Sequence, residues 1–269
     1  MPDQNAESLG GVILHHVTND LSHTYLNLSL FGMDMSITKH VIMLWLAAAV
    51  TVGLAVWGTR RYRKNIDAQP RGLSHIFELL MNFIREDIVN PNIGASHGKM
   101  WTPLITTYFI FILVCNFLGM IPFFDYLPGG SSTVTGNFQA TVGLASITFF
   151  SIIVAGSMKH GFFGYWKSMI PGGVPAPVLI ILIPIEILGM FVRPFALTMR
   201  LGANMTAGHI GMVAIFALPI LLNSAPIGII SILLNTGIYF LEMIVSFVQA
   251  YVFTLLSSVF IGMAIHAEH

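Results

Sequence analysis

Charge is scarce in this chain: only 9% of its 269 residues are Asp, Glu, Lys or Arg, against about 25% in an ordinary soluble domain. The 12 basic and 12 acidic side chains cancel, so there is no basic footprint for nucleic acid. Cysteine occurs once, as Cys115 inside an apolar run; that excludes a disulfide framework and a thiolate metal site and leaves inert packing as its expected role. A Gly-rich loop followed by Lys and Ser/Thr is missing, so no nucleotide is expected on this chain. His15 and His16 lack a third spaced ligand, and no metal or other cofactor is expected. The first 35 residues show no basic stretch leading into an apolar one, and hence no expected cleavable signal. No inverted repeat is visible. What the chain has in quantity is apolar surface: 55% hydrophobic residues, with 15 Met and 20 Phe, a composition suited to lipid.

A spanning helix needs about 20 mostly apolar residues to cross roughly 30 Å of hydrocarbon. Residues 40–59 form the first such run, bounded by Lys39 and by Arg60, Arg61, Arg63 and Lys64. Between 71 and 93 the apolar residues Leu73, Ile76, Phe77, Leu80, Phe83, Ile84 and Ile88 recur at helical spacing among Glu78, Arg85, Glu86 and Asp87, the pattern of an amphipathic surface helix. Residues 100–124 and 138–158 are two further spans, separated by a Pro/Gly-rich loop. Two long apolar segments follow, 177–222 and 227–265, divided by Asn223-Ser224-Ala225-Pro226. At about 1.5 Å per residue each is twice the membrane thickness, so each must tilt steeply, bend or break, with Pro184 and Pro194 as bending points in the first. The expected fold is therefore an all-α polytopic membrane protein with about five crossing helices and one amphipathic surface helix. Residues 1–36 are expected to form an extramembrane arm and residues 37–269 a single integral membrane domain. Basic residues gather on one side of this topology, which puts the N-terminus outside and the C-terminus in the cytoplasm.

From residue 171 to residue 265 the charged side chains, His209 aside, are Glu186, Arg193, Arg200 and Glu242. Each costs about 2.5 to 3.5 kcal/mol at the bilayer centre, so each should face protein or water. Glu186, Arg193 and Arg200 are seven apart, a spacing that drifts only about 20° on a helix, and Asn204 extends their stripe. Asn235, Glu242 and Gln249 repeat the same interval, with Ser246 on their face. Folding the hairpin at Ser224 puts Arg200 at the depth of Gln249, with His209, Asn235 and Glu242 nearer the turn and Glu186 farther from it. Small residues around Arg200, among them Gly202, Ala203, Ala207 and Gly208, allow another helix to approach closely. Arginine keeps its charge at any working pH and offers a planar fork to a carboxylate; Glu and His can exchange protons, which suits a relay. Structural readings stand beside these: an interhelical ion pair for Arg200, a satisfied polar pair for His209 and Glu242, snorkelling or pairing with Glu186 for Arg193. Simple interhelical bonds would account for Asn204 and Gln249. Asn116, Asp125 and Asn137 read as caps and turn formers more than as channel lining.

The stretch Arg193-Pro194-Phe195-Ala196-Leu197-Thr198-Met199-Arg200-Leu201-Gly202-Ala203-Asn204-Met205-Thr206-Ala207-Gly208-His209 resembles the signature of the F-type ATP synthase subunit a family, Arg-Leu-x-x-Asn-x-x-Ala-Gly-His/Glu. The run from Gln249 to Leu256 is similar to that family's last helix, and Asn116 to Pro122 and Glu186 add to the likeness. The resemblance implies a stationary F0 subunit whose long hairpin lies against the c-subunit ring, in a complex with peripheral stalk b subunits and the rest of the F1F0 ATP synthase in a bacterial inner membrane. It implies two offset half-channels, Arg200 as the essential coupling residue between them, and a path through Glu242, His209, Glu186, Asn235 and Ser246, supported by Asn204, Gln249 and Arg193. Such a subunit is not itself an enzyme. A secondary transporter would be expected to show repeated halves, and an intramembrane hydrolase a nucleophile with a base, or metal ligands at helical spacing; His209 alone lacks such partners.

Overall fold

The computed structural model describes residues 29–30, 33–34, 39–60, 62, 72–121, 134–168 and 176–266. The expectations for His15, His16, Asp125, the basic residues Arg61, Arg63, Lys64 and Arg71, and the last three residues fall outside these, as do the side chains of Lys39 and His209. A two-residue antiparallel ladder pairs β1 (Ser29–Leu30) with β2 (Met33–Asp34). Everything else with regular structure among the described residues is helical: α1 (Lys39–Thr59), α2 (Leu73–Phe83), a π-helical turn (Ile84–Val89), α3 (Asn90–Ile93), α4 (Ala95–Met120), a 3₁₀ turn (Val134–Gly136), α5 (Phe138–His160), α6 (Phe162–Ser168), α7 (Ala176–Leu221) and α8 (Ala225–Ile265). Five of these, α1, α4, α5, α7 and α8, are long and apolar enough to cross a membrane. The protein is an all-α polytopic membrane protein.

α7 runs unbroken for 46 residues through Pro184 and Pro194, and α8 for 41. Both are about 60 to 70 Å long and exceed the hydrocarbon thickness, so an upright crossing is excluded. They are joined by a turn in which Asn223 takes positive φ, a conformation Asn tolerates. α4 begins before the apolar run, at Ala95, and carries Pro103 in its interior; Thr102 and Thr107 donate to the carbonyls of Gly98 and Pro103 nearby. Back-bonding of this kind recurs at Ser146, Ser151, Thr198, Thr236 and Thr254. It lets hydroxyls sit in an apolar medium without an unmet donor.

The chain divides into two compact units. One comprises Met1–Val50, Phe111–Thr141 and Arg200–Gln249. In it Met43, Ala47, Cys115 and Val134 make an apolar cluster, so Cys115 is packing. Asn116, fully buried, donates to the Ser246 carbonyl at 3.1 Å and accepts from the Thr135 hydroxyl at 2.5 Å; it ties α4 to α8 and to the 3₁₀ turn and is neither a cap nor a turn former. Asn137 does cap α5, accepting from the Gln139 amide at 2.9 Å. Tyr239 donates to the carbonyl of Met120, the last residue of α4, meeting an acceptor that the helix end leaves open.

The other unit comprises Thr51–Ile110, Val142–Met199 and Ala250–His269. Here the amphipathic segment does not simply lie apolar side down on a surface: Ile84, Ile88, Val89 and Ile93 are fully buried, whereas Leu73, Ile76 and Leu79 of α2 are exposed. The π turn redirects the apolar stripe, since each of its residues turns less than 100° about the axis. α3 meets α8 where Gly262 removes a side chain; a β-carbon there would collide with the Asn92 carbonyl. Ser258 donates to the Ile88 carbonyl at 3.2 Å. Two histidines close helix ends: the Nε2 atoms of His160 and His266 lie 3.2 and 3.0 Å from the carbonyls of Ile265 and Ile93. A carbonyl only accepts, so each ring carries its proton on Nε2.

Candidate functional site

α7 and α8 carry every residue of the two polar stripes. Their register near the turn is set by Pro219 against Gly228 and by Gly208 against Glu242. A β-carbon at Gly208 would strike the Glu242 carboxyl, which would have to move aside. Carried about two turns further along both helices, this register would bring Arg200 level with Gln249.

Glu242 is 5% exposed, and its Oε2 has no hydrogen-bond partner among the described residues. A carboxyl this buried is expensive without a partner. One turn and three residues nearer the turn, the buried Oδ1 of Asn235 is likewise without a partner among the described residues. Asn235 lines a cavity of about 350 Å³ with Met212, Phe216, Ile232, Thr236 and Tyr239, large enough for several water molecules. Ser246 is closed off, donating to the Met120 sulfur at 3.4 Å with no exposed surface. Gln249 is 4% exposed. Asn204 and Arg200, by contrast, are exposed, and Arg200 makes no ion pair or hydrogen bond among the described residues. Small neighbours therefore leave the Arg200 face of α7 open.

In the turn-distal part of the hairpin, Arg193 Nη2 lies 3.7 Å from Glu186 Oε1, with side chains 26% and 44% exposed. Glu186 thus has a cationic partner other than Arg200. The Arg193 guanidinium also lies over the ring of Phe260, 5.8 Å from its centroid. Burial pushes the Tyr165 phenol of α6 above its usual range, with the Arg193 charge opposing and the Glu186 charge adding to that shift. Neither Phe260 nor Tyr165 belongs to the polar stripes of the sequence. Phe260 could have been found, since it stands 18 residues, or five full turns, beyond Glu242 and so shares its face; Tyr165 lies on a seven-residue helix with no periodic signal of its own.

These sites fall within a region of known relatives. The sequence model of the ATP synthase A chain family matches residues 41–262. ATP synthase subunit a 2 of Chlorobaculum tepidum is 40% identical over 268 residues, covering 96% of this chain and 74% of its own. ATP synthase subunit a of Pelodictyon phaeoclathratiforme is 40% identical over 278 residues, covering 98% and 79%. ATP synthase subunit a of Myxococcus xanthus is 42% identical over 239 residues, covering 88% and 75%. A family match over most of the chain, with relatives this similar along most of their length, leaves one assignment: the chain belongs to the ATP synthase A chain family.

Proposed function

We propose that this chain is the stationary ion-channel subunit of the F0 motor, itself non-catalytic, and that it couples proton flow to rotation of a c-subunit ring and so to ATP synthesis elsewhere in the F1F0 complex. Residues 37–269 act as one integral membrane domain of a bacterial inner membrane, with the N-terminus outside and the C-terminus cytoplasmic. The observation that carries the reading is Arg200: a permanent cation on the exposed face of an apolar helix, without a partner among the described residues. A lone guanidinium in hydrocarbon is too costly to keep unless water or another chain's carboxylate meets it. A ring carboxylate passing that face would be held ionised while opposite Arg200, and the same charge repels a hydrated cation attempting to cross directly.

Two separate aqueous paths follow. The outer one passes the Asn235 cavity to Glu242 and His209, with Ser246 at its deep end; the inner one runs along Glu186. Asn204 extends the exposed Arg200 face, Gln249 is buried on α8, and Arg193 supports Glu186. The ring lies against the Arg200 face, and peripheral stalk b subunits hold the chain still. The test is sidedness of access. In a Cys115→Ala background, Asn235→Cys should react with a membrane-impermeant thiol reagent or Ag⁺ from the outside only, and Gly189→Cys from the inside only. Gly189 has open space where a side chain would go, so the substitution itself does no damage. Labelling of both positions from one face of oriented, sealed vesicles would mean a single through-pore and would refute two half-channels.

A further inference from the structure

We propose that Phe260 is a positioning residue for the inner path: its ring anchors the Arg193 guanidinium, and Arg193 anchors the Glu186 carboxylate. This deepens the reading above and rests on Glu186 being part of that path. The ion pair alone does not fix the carboxylate. At 3.7 Å it lacks the 2.7–2.9 Å contact of a charge-assisted hydrogen bond. Both side chains retain solvent exposure, and pairs of this kind contribute little order to long side chains. A second hold is therefore needed, and Phe260 supplies it. The guanidinium lies within about 6 Å of the ring centroid, where the negative face of the π system attracts it. Phe260 is half-buried on α8, so its ring is itself held by packing.

The chain of contact thus runs from α8 through Phe260 to Arg193 and Glu186 on α7. A leucine would fill similar space but has no quadrupole; a tyrosine keeps one. In function, the arrangement keeps the inner carboxylate at one place while a proton leaves through it. Without the ring, Arg193 is free to turn toward solvent and Glu186 loses its fixed position.

The experiment uses the assembled complex in vesicles, reading ATP-driven pumping and, after removal of F1, passive proton conduction, each normalised to the amount of this chain in the complex. Phe260→Leu is expected to lower both about two- to five-fold, the range of a partly exposed cation–π contact, and Phe260→Tyr to keep wild-type rates. Phe260→Met is the second non-aromatic variant should the leucine form assemble poorly. In an Arg193→Gln background Phe260→Leu should add no further loss. Equal rates for the leucine and tyrosine forms, or fold-losses that multiply in the double variant, would overturn the proposal. Glu186→Gln separates the two levels. If it blocks conduction while Phe260→Leu is silent, the path stands and the anchoring role is wrong. If Glu186→Gln conducts like wild type, the path through Glu186 is wrong and the anchoring role falls with it.

Discussion

α4 and α7 have nearly the same mean hydropathy in their most apolar stretch, 1.9 and 2.1, yet 56% of that stretch is buried in α4 and 11% in α7. Hydropathy measures whether a segment tolerates lipid; it does not say what the segment touches. The polar residues make the difference. α4 carries short hydrogen-bonding side chains that are used inside the protein: the buried Thr102 donates to the Gly98 carbonyl, and the buried Asn116 bonds to Ser246 and Thr135. α7 carries full charges at Glu186, Arg193 and Arg200 among exposed Ile180, Ile181, Ile185, Leu188, Phe191 and Phe195. α4 is thus scaffold, whereas α7 presents a surface whose charges call for water or another chain.

The sharpest way to break this contrast is at Arg200. Replacement by Ala removes an exposed side chain that makes no ion pair or hydrogen bond among the described residues, so assembly and thermal stability of the complex should stay near wild type while pumping and ATP synthesis fall to background. Near wild-type pumping by the reconstituted variant would sink the assignment of α7. Lysine should restore little, because it lacks the planar fork and can lose its proton on burial. A smaller but still large effect is expected at Gly208. Val at that position must displace the Glu242 carboxyl, and pumping should drop by about an order of magnitude, equivalent to roughly 1.4 kcal/mol. Gly211→Val is the control three residues away, where nothing lies within 4 Å of the added carbon. Equal losses at both positions would show that helix propensity, not the Glu242 contact, is being measured.

Much of this was legible in the sequence, for reasons specific to membranes. Lipid forces every spanning segment to satisfy its backbone internally, so apolar length alone located the five long helices, and charges inside them stood out against a nearly uncharged background. The seven-residue spacing of Glu186, Arg193 and Arg200 needed only helical geometry. Other features were hidden because they depend on packing between segments distant in the chain. Asn116 reads as a turn former beside a Pro/Gly loop, but its partners are 19 and 130 residues away. The π turn at Ile84–Val89 leaves the apolar periodicity nearly intact while changing which side is covered. Pro103 gives no sign that α4 starts eight residues before it. Phe260 is one of 20 phenylalanines, and only the guanidinium above its ring marks it out.

Asn116 provides the next test, on the scaffold side of the contrast. Leu at this position leaves the Thr135 hydroxyl without its buried acceptor and fills the site with a group that cannot hydrogen-bond. The cost should be about 1 to 3 kcal/mol, seen as a lower melting temperature of the detergent-solubilised complex and a smaller amount of the chain assembled. Thr135→Val should cost less, since it leaves the amide oxygen unpaired but keeps the Asn116 bond to the Ser246 carbonyl. If instead Asn116→Leu assembles and melts normally but stops conduction, α4 is part of the ion path and the division between scaffold and working surface is wrong.

The smallest effects come from a matched pair, Ile105→Ala in α4 and Ile185→Ala in α7, which remove the same atoms from positions 0% and 55% exposed. In water both changes would be dominated by lost hydrophobic transfer, but lipid is as apolar as the protein interior, so only packing distinguishes the sites. A truncation at Ile105 leaves a cavity that surrounding helices cannot fully close and should cost about 1 to 3 kcal/mol. At Ile185, lipid or detergent flows into the vacated space, and the isolated chain should lose no more than about 0.5 kcal/mol, the usual range for exposed positions. Comparing the chain alone with the assembled complex then adds information. If the Ile185 face meets lipid, the variant will be neutral in both; if it packs on a neighbouring subunit, the isolated chain will be neutral while the complex melts lower. A loss at Ile185 equal to that at Ile105 in the isolated chain would mean that α7 is packed within its own subunit, and the contrast from which Arg200 takes its meaning would be gone.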